Sequence, residues 1–399
     1  MIKQSSGISS LLQVKAKFLP YHLPSIGEEE IEAVVETLRS GWLTTGAKVR
    51  QFEEDFKVKV GARHAVALNS CTAALHLALE AIGVKPGDEV IVPTMTFAAT
   101  GEVVTYLGAK PVLIDCCYDD LTLDITQIEK LITPKTKAII PVHFAGHPCE
   151  MIPLMEIAKA YNLKVIEDAA HCLPAWYQGV PIGAIGDITC FSFYATKTIT
   201  TGEGGMATTQ NEVWAERMRM MSLHGISRNA WSRYSANGSW SYDICHAGHK
   251  YNLTDLAASL GIEQLKKCEQ FQKTREHYAG MYTQGFRDLP EIMCPSVARN
   301  VQHSWHLYVI QLDLDHLRIG RDEFIEQMKS YNVGTSVHFI PLHLHPFYQH
   351  TYGYQPGDFP TAGGCFERII SLPIYPMMTE ADVEYVIDVV HEIIRGNRR

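Results

Sequence analysis

The chain has 399 residues, of which 46% are apolar and 20% are charged, and its formal net charge is -9. This composition provides a large buried core, sufficient for two domains, while the lack of excess Lys and Arg argues against nucleic acid as a partner. No apolar run approaches the roughly 20 residues that a membrane helix needs, which argues against a membrane-spanning protein.

Short β-branched runs alternate with helical segments along the first part of the chain. The predicted strands are 64–69, 88–93, 110–115, 137–143 and 163–168, and the predicted helices include 72–83 and 151–162. Apolar strands that alternate with helices are typical of a parallel sheet covered by helices on both faces. We therefore predict a doubly wound α/β domain, in which ligands bind beyond the carboxyl ends of the strands.

Residues suited to ligand binding follow several of these strands. Residues 70–72 (Ser-Cys-Thr) begin a helix whose first N–H groups suit a phosphate, Phe97 follows the second strand, and Asp168 and His171 follow the strand 163–168. Taken singly, these residues have structural explanations as helix caps, core or turn residues. Because the carboxyl ends of parallel strands meet at one edge of a sheet, their joint occurrence indicates a binding site.

Lys197 lies between a predicted strand, 190–194, and the glycine-rich segment 200–209, whose glycines permit a tight turn into a further strand. The lysine precedes the glycines, which argues against a phosphate-binding P-loop. An isolated lysine here could simply extend into solvent. Together with a helix N-terminus, an aromatic ring and a carboxylate, however, it matches what pyridoxal 5′-phosphate (PLP) requires: an amine for a Schiff base, an Asp for the pyridinium nitrogen and a phosphate seat.

The rest of the chain predicts a smaller α/β domain. Segment 256–286 has helical apolar spacing with a charged opposite face, which indicates a long helix joining the domains. A strand at 309–314 and helices at 321–331 and 379–395 follow it.

Three histidines in this part have a spacing that suggests a metal site. They are His338, His343 and His345, and the last two lie within two residues of Pro341 and Pro346. Because no acidic or thiol ligands lie nearby in the sequence, we favour an ordered loop and predict no metal.

Ordered motifs along most of the chain resemble those of the DegT/DnrJ-type sugar aminotransferases, a PLP-dependent family with the aspartate-aminotransferase (type I) fold. The motifs are SIGEEEIEAVVETLRSGWLTTG (25–46), NSCTAALHLAL (69–79), VIEDAAH (165–171), SFYATKTITTGEGG (192–205), HKYNLTDLAASLGIEQL (249–265) and SLPIYPMMTEADVEYVI (371–387). The resemblance implies a large PLP-binding domain with an N-terminal arm, 1–265, and a small C-terminal α/β domain, 266–399.

The resemblance also implies roles for the residues around the cofactor. Lys197 would form the Schiff base, Asp168 would pair with the pyridinium nitrogen, and His171 would lie near the phenolic oxygen. The phosphate would be bound by Cys71, Thr72 and Ser192, and Phe97 would stack on the ring. Cys71 replaces a glycine that is common in the family, but it still provides its backbone N–H.

A homodimer with shared active sites is implied in the same way, because Asn252 matches a residue that reaches the cofactor phosphate of the neighbouring subunit. Lys197 also matches the transaminase residue of the family, whereas some relatives carry His there and act as dehydratases.

Three stretches resemble most closely the subgroup that forms UDP-4-amino-4-deoxy-L-arabinose: GWLTTG (41–46), HGISRNAWSRYS (224–235) and VGTSVHF (333–339). This similarity implies transamination of a UDP-linked 4-ketopyranose with L-glutamate as donor. The aminated sugar would serve surface polysaccharide or lipid A modification. Thr44, Arg233 and His338 are candidates for contacting the sugar nucleotide. Their structural alternatives are a helix cap, a surface residue and a buried strand histidine, respectively.

Two alternatives remain open. The cofactor could serve a 3-keto or dTDP-linked sugar, or a non-sugar reaction of the same fold such as desulfuration or aldol cleavage. The protein could instead be a non-catalytic regulator that has kept the fold, although a regulator has no reason to preserve the whole set of residues. The ten scattered cysteines lack a C-x-x-C pair and suit a reducing compartment, so we expect a cytoplasmic protein.

Overall fold

A computed structural model of the protein describes residues 12–226 and 241–399. The helices in these ranges are α1 (Glu28–Ser40), α2 (Ala47–Val60), α3 (Cys71–Ala81), α4 (Ala98–Tyr106), α5 (Ile128–Leu131), α6 (Met151–Ala160), α7 (Glu212–Met221), α8 (Asp255–Phe286), α9 (Arg321–Ser330), α10 (Pro346–Tyr352), α11 (Pro360–Phe366) and α12 (Glu380–Asn397). Each helix in the described ranges is too short or too polar to cross a lipid bilayer.

The strands form one large and two small sheets. They are β1 (His64–Leu68), β2 (Glu89–Pro93), β3 (Lys110–Ile114), β4 (Thr136–Ile139), β5 (Lys164–Asp168), β6 (Trp176–Tyr177), β7 (Val180–Pro181), β8 (Ile188–Ser192), β9 (Gly205–Thr209), β10 (Ile292–Met293), β11 (Val301–Gln302), β12 (Tyr308–Leu312) and β13 (Ile369–Leu372). The small sheets have the orders β10-β12-β13 and β11-β6-β7.

The large sheet has seven strands in the order β1-β9-β8-β5-β4-β2-β3. Strand β9 is antiparallel to both of its neighbours, and the remaining neighbours in the sheet are parallel. Gly205, at the start of β9, pairs with Leu68 and with Ser192, the last residues of β1 and β8. Strand β9 therefore begins at the sheet edge where β1 and β8 end. Its first residues belong to the ligand-binding edge.

Helices cover both faces of this sheet, as β1 illustrates. Ala65 and Ala67 contribute to a core with α2, α6 and the first half of α8, whereas Val66 and Leu68 contribute to a core with α3, α4 and α7. Successive side chains of a strand point to opposite faces, so an apolar strand needs cover on both. The prediction of a mostly parallel, doubly wound α/β sheet is confirmed.

Two predicted strands of the large sheet differ from the observed bounds by two residues or more at one end or both, whereas its other predicted strands differ by one residue. Strand β4 ends at Ile139 instead of residue 143, because Pro141 has no N–H for the ladder, and pairing with β5 resumes only at a single bridge between Val142 and Asp168. Strand β8 spans 188–192 instead of 190–194. Its end is set by a turn in which the N–H of Lys197 donates to the carbonyl of Tyr194 at 2.9 Å.

Helix α8 connects two hydrophobic cores. It has 32 residues, beginning one residue before the predicted segment 256–286, and its first half packs Ile262 and Leu265 under the large sheet. Its second half packs Tyr282 and Phe286 against β12 and α12, in a core that also includes Leu19. The expected domain boundary after residue 265 falls inside this continuous helix, and the division at that residue stays a prediction.

Candidate active site

A cavity of about 350 Å³ lies at the carboxyl edge of the large sheet. Most of the sequence-predicted site residues line it, although they come from distant parts of the chain: Cys71, Thr72, Phe97, Asp168, His171, Ser192, Lys197 and His338. Most of the site residues predicted from the sequence therefore lie together at the carboxyl edge of the parallel strands.

One end of the cavity is formed by the start of α3. The hydroxyl of Ser70 accepts a hydrogen bond from the N–H of Ala73 at 3.1 Å and caps the helix. The N–H groups of Cys71 and Thr72 are among those that have no partner within a helix, and both residues line the cavity. This end can therefore bind an anion, with the hydroxyl of Ser192 on the same wall.

Gly205 packs its backbone directly against this end of the cavity. A Cβ atom on Gly205 would lie 2.4 Å from the carbonyl carbon and oxygen of Ser70 and 2.6 Å from the nitrogen of Cys71. These backbone atoms cannot move away by a change of rotamer. If residue 205 carried a side chain, β9 would therefore have to move away from the start of α3.

The substitution Gly205→Ala is therefore expected to weaken PLP binding and to lower the free energy of unfolding by about 1–3 kcal/mol. PLP titration of the apoprotein and urea unfolding measure the two effects. Gly280→Ala is the matched control, since a Cβ on this helical glycine meets no atom within 4 Å. An unchanged PLP affinity in Gly205→Ala would show that the close approach is not needed.

Asp168 ends β5 and is only 6% exposed. Its Oδ2 accepts a hydrogen bond from the hydroxyl of Thr100 at 2.8 Å, and its Oδ1 accepts one from the N–H of Ala170 at 3.1 Å. Burial raises the pKa of Asp168, and these two hydrogen bonds oppose that rise. A cation beside this carboxylate would favour its ionised form in the same way.

Thr100 was not predicted as a site residue. Its hydroxyl also lies 2.8 Å from that of Thr96, which precedes the helix. The hydroxyl pair at positions 96 and 100, between β2 and the first turn of α4, is the sequence signal that could have indicated it.

Lys197 lies in the turn after β8 and lines the cavity together with Asp168. Burial lowers the pKa of Lys197 to about 8, against the opposing influence of Cys71 and Asp168. At this pKa, a substantial fraction of the amine is neutral near physiological pH, which is the form that attacks an aldehyde.

Four histidine side chains line the cavity together with Lys197. The His171 ring stacks on Phe339 with a centroid distance of 5.7 Å and lies 4.5 Å from the ring of His306. Burial is the main cause of a lowered pKa in each case, to about 3 for His22 and about 4 for His338, and well below the ordinary value for His171 and His306. These side chains are therefore neutral at physiological pH.

His306, Tyr21 and His22 line the cavity but were not predicted. The HSWHLY stretch (303–308), just before a predicted strand, offered a weak signal for His306. Tyr21 and His22 precede the first helix, and no sequence pattern indicated that they belong to the site.

The residues of the cavity fit PLP. The buried Nδ1 of His171 has no hydrogen-bond partner in the described ranges and can bind a polar ligand atom. The buried carboxylate of Asp168 suits a protonated ring nitrogen, the start of α3 suits a phosphate, and the Lys197 amine suits an aldehyde. Phe97, which is 62% exposed, offers an apolar ring on the cavity wall.

Comparison with known proteins gives the same assignment. Residues 24–391 match the sequence model of the DegT/DnrJ/EryC1/StrS aminotransferase family. The chain belongs to this family. It is 54% identical to an uncharacterized protein of Methanocaldococcus jannaschii, over 96% of this chain and 100% of that protein. It is 50% identical to the spore coat polysaccharide biosynthesis protein SpsC of Bacillus subtilis, over 97% of this chain and 100% of SpsC.

A solved structure extends the comparison to the cofactor. The PLP-form of a Streptococcus pneumoniae protein assigned as a sugar aminotransferase is 35% identical, with a TM-score of 0.88 over 95% of this chain and 99% of that chain. The same protein was also solved in a PMP-form. These comparisons confirm four predictions: the family, its α/β fold, the PLP cofactor and the enzyme class, a PLP-dependent sugar aminotransferase.

Two predicted site residues lie outside the wall of this cavity. Thr44 is exposed, and its carbonyl accepts a hydrogen bond from the N–H of Asp255 at 3.1 Å. Asn252 donates its side-chain N–H to the hydroxyl of Thr45 at 2.7 Å, so the two predicted residues lie in one region of the surface. Arg233 lies outside the described residues, and the roles of all three stay predictions.

Two of the three histidines whose spacing suggested a metal site have other hydrogen-bond partners. The Nδ1 atoms of His338 and His343 lie 2.8 Å from the hydroxyls of Ser371 and Thr94. In the part of the chain that the structure describes, no three His, Cys, Asp or Glu side chains are grouped so that they could hold a metal ion.

Proposed function

We propose that the protein transfers the amino group of L-glutamate to a UDP-linked 4-ketopyranose, and that the product serves surface polysaccharide or lipid A modification. The observation that carries this proposal is the Lys197 amine in the same cavity as the buried Asp168, in a chain of a sugar aminotransferase family. The role given by the name of SpsC, spore coat polysaccharide biosynthesis, supports the polysaccharide assignment.

The proposed binding roles follow from the chemistry of the cofactor, which stabilises the negative charge left when a carbon beside the amine loses its proton. Asp168 keeps the ring nitrogen protonated, with its carboxylate held by Thr100 and Ala170. The N–H groups of Cys71 and Thr72 and the hydroxyl of Ser192 bind the phosphate. Phe97 packs on one face of the ring, and His171 offers its unpartnered nitrogen to the phenolic oxygen.

Lys197 acts twice in the proposed reaction. Its amine would hold the cofactor covalently and would be freed when the amine of the donor takes its place. The freed Nζ would then remove the proton from the donor carbon as a general base and return it to the cofactor carbon as a general acid. One water would release the donor as 2-oxoglutarate, and the reverse sequence would place the amine on the ketosugar and give the water back.

The rate at which the apoprotein binds PLP covalently is expected to rise with pH and to level off near pH 8. Burial lowers the pKa of Lys197 to about 8, and below that pH the neutral fraction grows about tenfold per unit. Stopped-flow absorbance of the cofactor measures this rate. A rate that continues to rise towards the ordinary lysine value of 10.5 would show that the amine is fully solvated.

We also propose a homodimer in which Asn252 reaches the PLP phosphate of the neighbouring subunit and Thr44, Arg233 and His338 contact the sugar nucleotide. The surface positions of Thr44 and Asn252, close together and outside the cavity wall of their own chain, support a role towards a partner. His338 lines the cavity, with its Nδ1 hydrogen-bonded to Ser371. Light scattering tests the assembly, and a fully active monomer would contradict it.

We also propose a domain division between residues 265 and 266 and a cytoplasmic location. All ten cysteines are unpaired in the structure, which suits a reducing compartment. Limited proteolysis and cell fractionation test the two proposals.

The holoenzyme should be incubated with L-glutamate and a panel of UDP- and dTDP-linked 3-keto and 4-keto sugars. We expect glutamate alone to release at most one equivalent of 2-oxoglutarate per site and continued release only with a ketosugar. The product should carry its new nitrogen on C4 of a UDP-sugar, as identified by mass spectrometry and NMR. L-Glutamine in place of glutamate tests the donor. A 3-amino or dTDP-linked product would replace the substrate assignment, and turnover without a sugar would contradict it.

A further inference from the structure

The side-chain amide of Asn252 has a defined orientation, which is set by the hydroxyl of Thr45. Thr45 donates its hydroxyl proton to the carbonyl of Leu253 and accepts a hydrogen bond from the Nδ2 of Asn252 at 2.7 Å. A carbonyl oxygen only accepts, and a threonine hydroxyl has a single proton, so the hydroxyl oxygen can face only the nitrogen of the amide. The Oδ1 of Asn252 is therefore turned away from Thr45.

The backbone around this hydrogen bond is also held in place. The N–H of Asp255 donates to the carbonyl of Thr44 at 3.1 Å, and the Oδ1 of Asp255 accepts from the N–H of Gly46 at 2.7 Å. One residue thus fixes the chain on both sides of position 45. Asn252 itself forms a β-bridge with Leu68, the last residue of β1. The hydroxyl at position 45 and the amide at position 252 therefore meet in a defined geometry.

One N–H of the Asn252 amide has no partner in the described ranges, since the bond to Thr45 uses only the other one. Both residues are half-buried and lie outside the cavity wall of their own chain. An amide N–H can donate to an anion, whereas the oxygen of a reversed amide would repel it. The orientation of this side chain therefore decides whether position 252 attracts or repels a phosphate.

We propose that Thr45 is a positioning residue for the cofactor phosphate of the neighbouring subunit, because it turns the free N–H of Asn252, and not Oδ1, towards that phosphate. This inference rests on the proposed function and on its homodimer with shared active sites. The two ends of an amide have almost the same shape, so a hydrogen-bond partner is needed to distinguish its two orientations. Thr45 provides that partner and acts on the phosphate only through Asn252.

The test compares the binding of PLP and of pyridoxal, which lacks the phosphate, to the apoprotein. The ratio of the two Kd values reports the phosphate contacts, whereas a general distortion of the site weakens both ligands. Thr45→Val has nearly the same shape but no hydroxyl, and we expect it to reduce the preference for PLP about tenfold, as for one hydrogen bond to a charged group. Thr45→Ser keeps the hydroxyl and should retain most of the preference.

A double variant shows whether Thr45 acts through Asn252. Asn252→Ala should reduce the preference for PLP at least as much as Thr45→Val, and the two substitutions together should reduce it no further than Asn252→Ala alone. Thr274→Val is the matched control, because it removes a hydroxyl that donates to the carbonyl of Gln270 at 3.1 Å, on a part of α8 outside the cavity wall. We expect it to keep the wild-type preference. If Thr45→Val does not fold, the result with Thr45→Ala decides.

Mixed dimers test the role of the neighbouring subunit. Thr45→Val subunits are dissociated and reassembled with an excess of Lys197→Ala subunits, and borohydride reduction measures the PLP attached to Lys197 at each PLP concentration. In a mixed dimer the one Lys197 belongs to the Thr45→Val subunit, whereas the intact Thr45 belongs to the other subunit. Covalent PLP binding should therefore regain the wild-type affinity.

Three outcomes would overturn the inference. They are an unchanged PLP preference in Thr45→Val, a double variant that loses clearly more than Asn252→Ala, and mixed dimers that keep the weakened affinity. Failure of the proposed reaction has a different signature, namely PLP binding without release of 2-oxoglutarate in the presence of any ketosugar. A monomer in light scattering would contradict the homodimer and, with it, this inference.

Discussion

Replacement of Lys197 by alanine should reduce turnover by about 10⁴-fold or more, because we propose that this one amine provides both the covalent attachment and the proton transfer. The cavity itself should remain, since the residues proposed to bind the phosphate and the ring nitrogen are unchanged. We therefore expect Lys197→Ala to bind PLP without covalent attachment. Steady-state assays with glutamate and the accepted ketosugar measure the loss, and absorbance after gel filtration measures retained PLP.

Chemical trapping provides the control for this result. Borohydride reduction of the wild-type holoenzyme should fix a pyridoxyl group on the peptide that contains Lys197, and the alanine variant should show none. Lys266→Ala is a suitable control substitution, because this lysine is exposed and pairs only with Glu263. A pyridoxyl group on another lysine, or full activity in Lys197→Ala, would contradict the assignment.

The substitution Asp168→Asn should lower kcat by about 10²- to 10³-fold, as expected for loss of one electrostatic group that stabilises the developing charge. The amide has almost the same shape and can still accept the hydrogen bond from Thr100, so the fold should be preserved. Without the carboxylate, the ring nitrogen of the cofactor loses its proton and withdraws electrons less strongly. Steady-state kinetics and the pH dependence of the cofactor absorbance measure this change.

The variant Thr100→Val tests the effect of the orientation of the Asp168 carboxylate without removing its charge. This variant keeps the carboxylate but removes the 2.8 Å hydrogen bond to Oδ2. We expect a smaller loss than in Asp168→Asn. If Asp168→Asn were as active as the wild type, another group would have to hold the ring proton.

The cofactor end of the site was predictable from the sequence for a physical reason. Phe97, Asp168 and Ser192 each lie at or just after a strand of one mostly parallel sheet, so their positions follow from the strand pattern and the geometry of the sheet. The start of α3 was predictable in the same way, because the capping residue Ser70 marks it.

The opposite wall was not predictable, because it depends on contacts between distant segments. Tyr21 and His22 reach the cavity only because Leu19 pairs with Val333 in the C-terminal part of the chain. Nothing in the sequence singled out Arg275, since a charged residue in an amphipathic helix such as the predicted 256–286 is normally solvated. The structure instead buries it behind His306.

The packing of Leu19 in the core formed by the second half of α8, β12 and α12 has a consequence for synthesis of the protein. A nascent chain that leaves the ribosome presents its N-terminal segment long before residues 308–397 exist. Tyr21 and His22, which follow this leucine, thus cannot reach their final positions during early translation, and the cavity is completed only when the last helix has emerged.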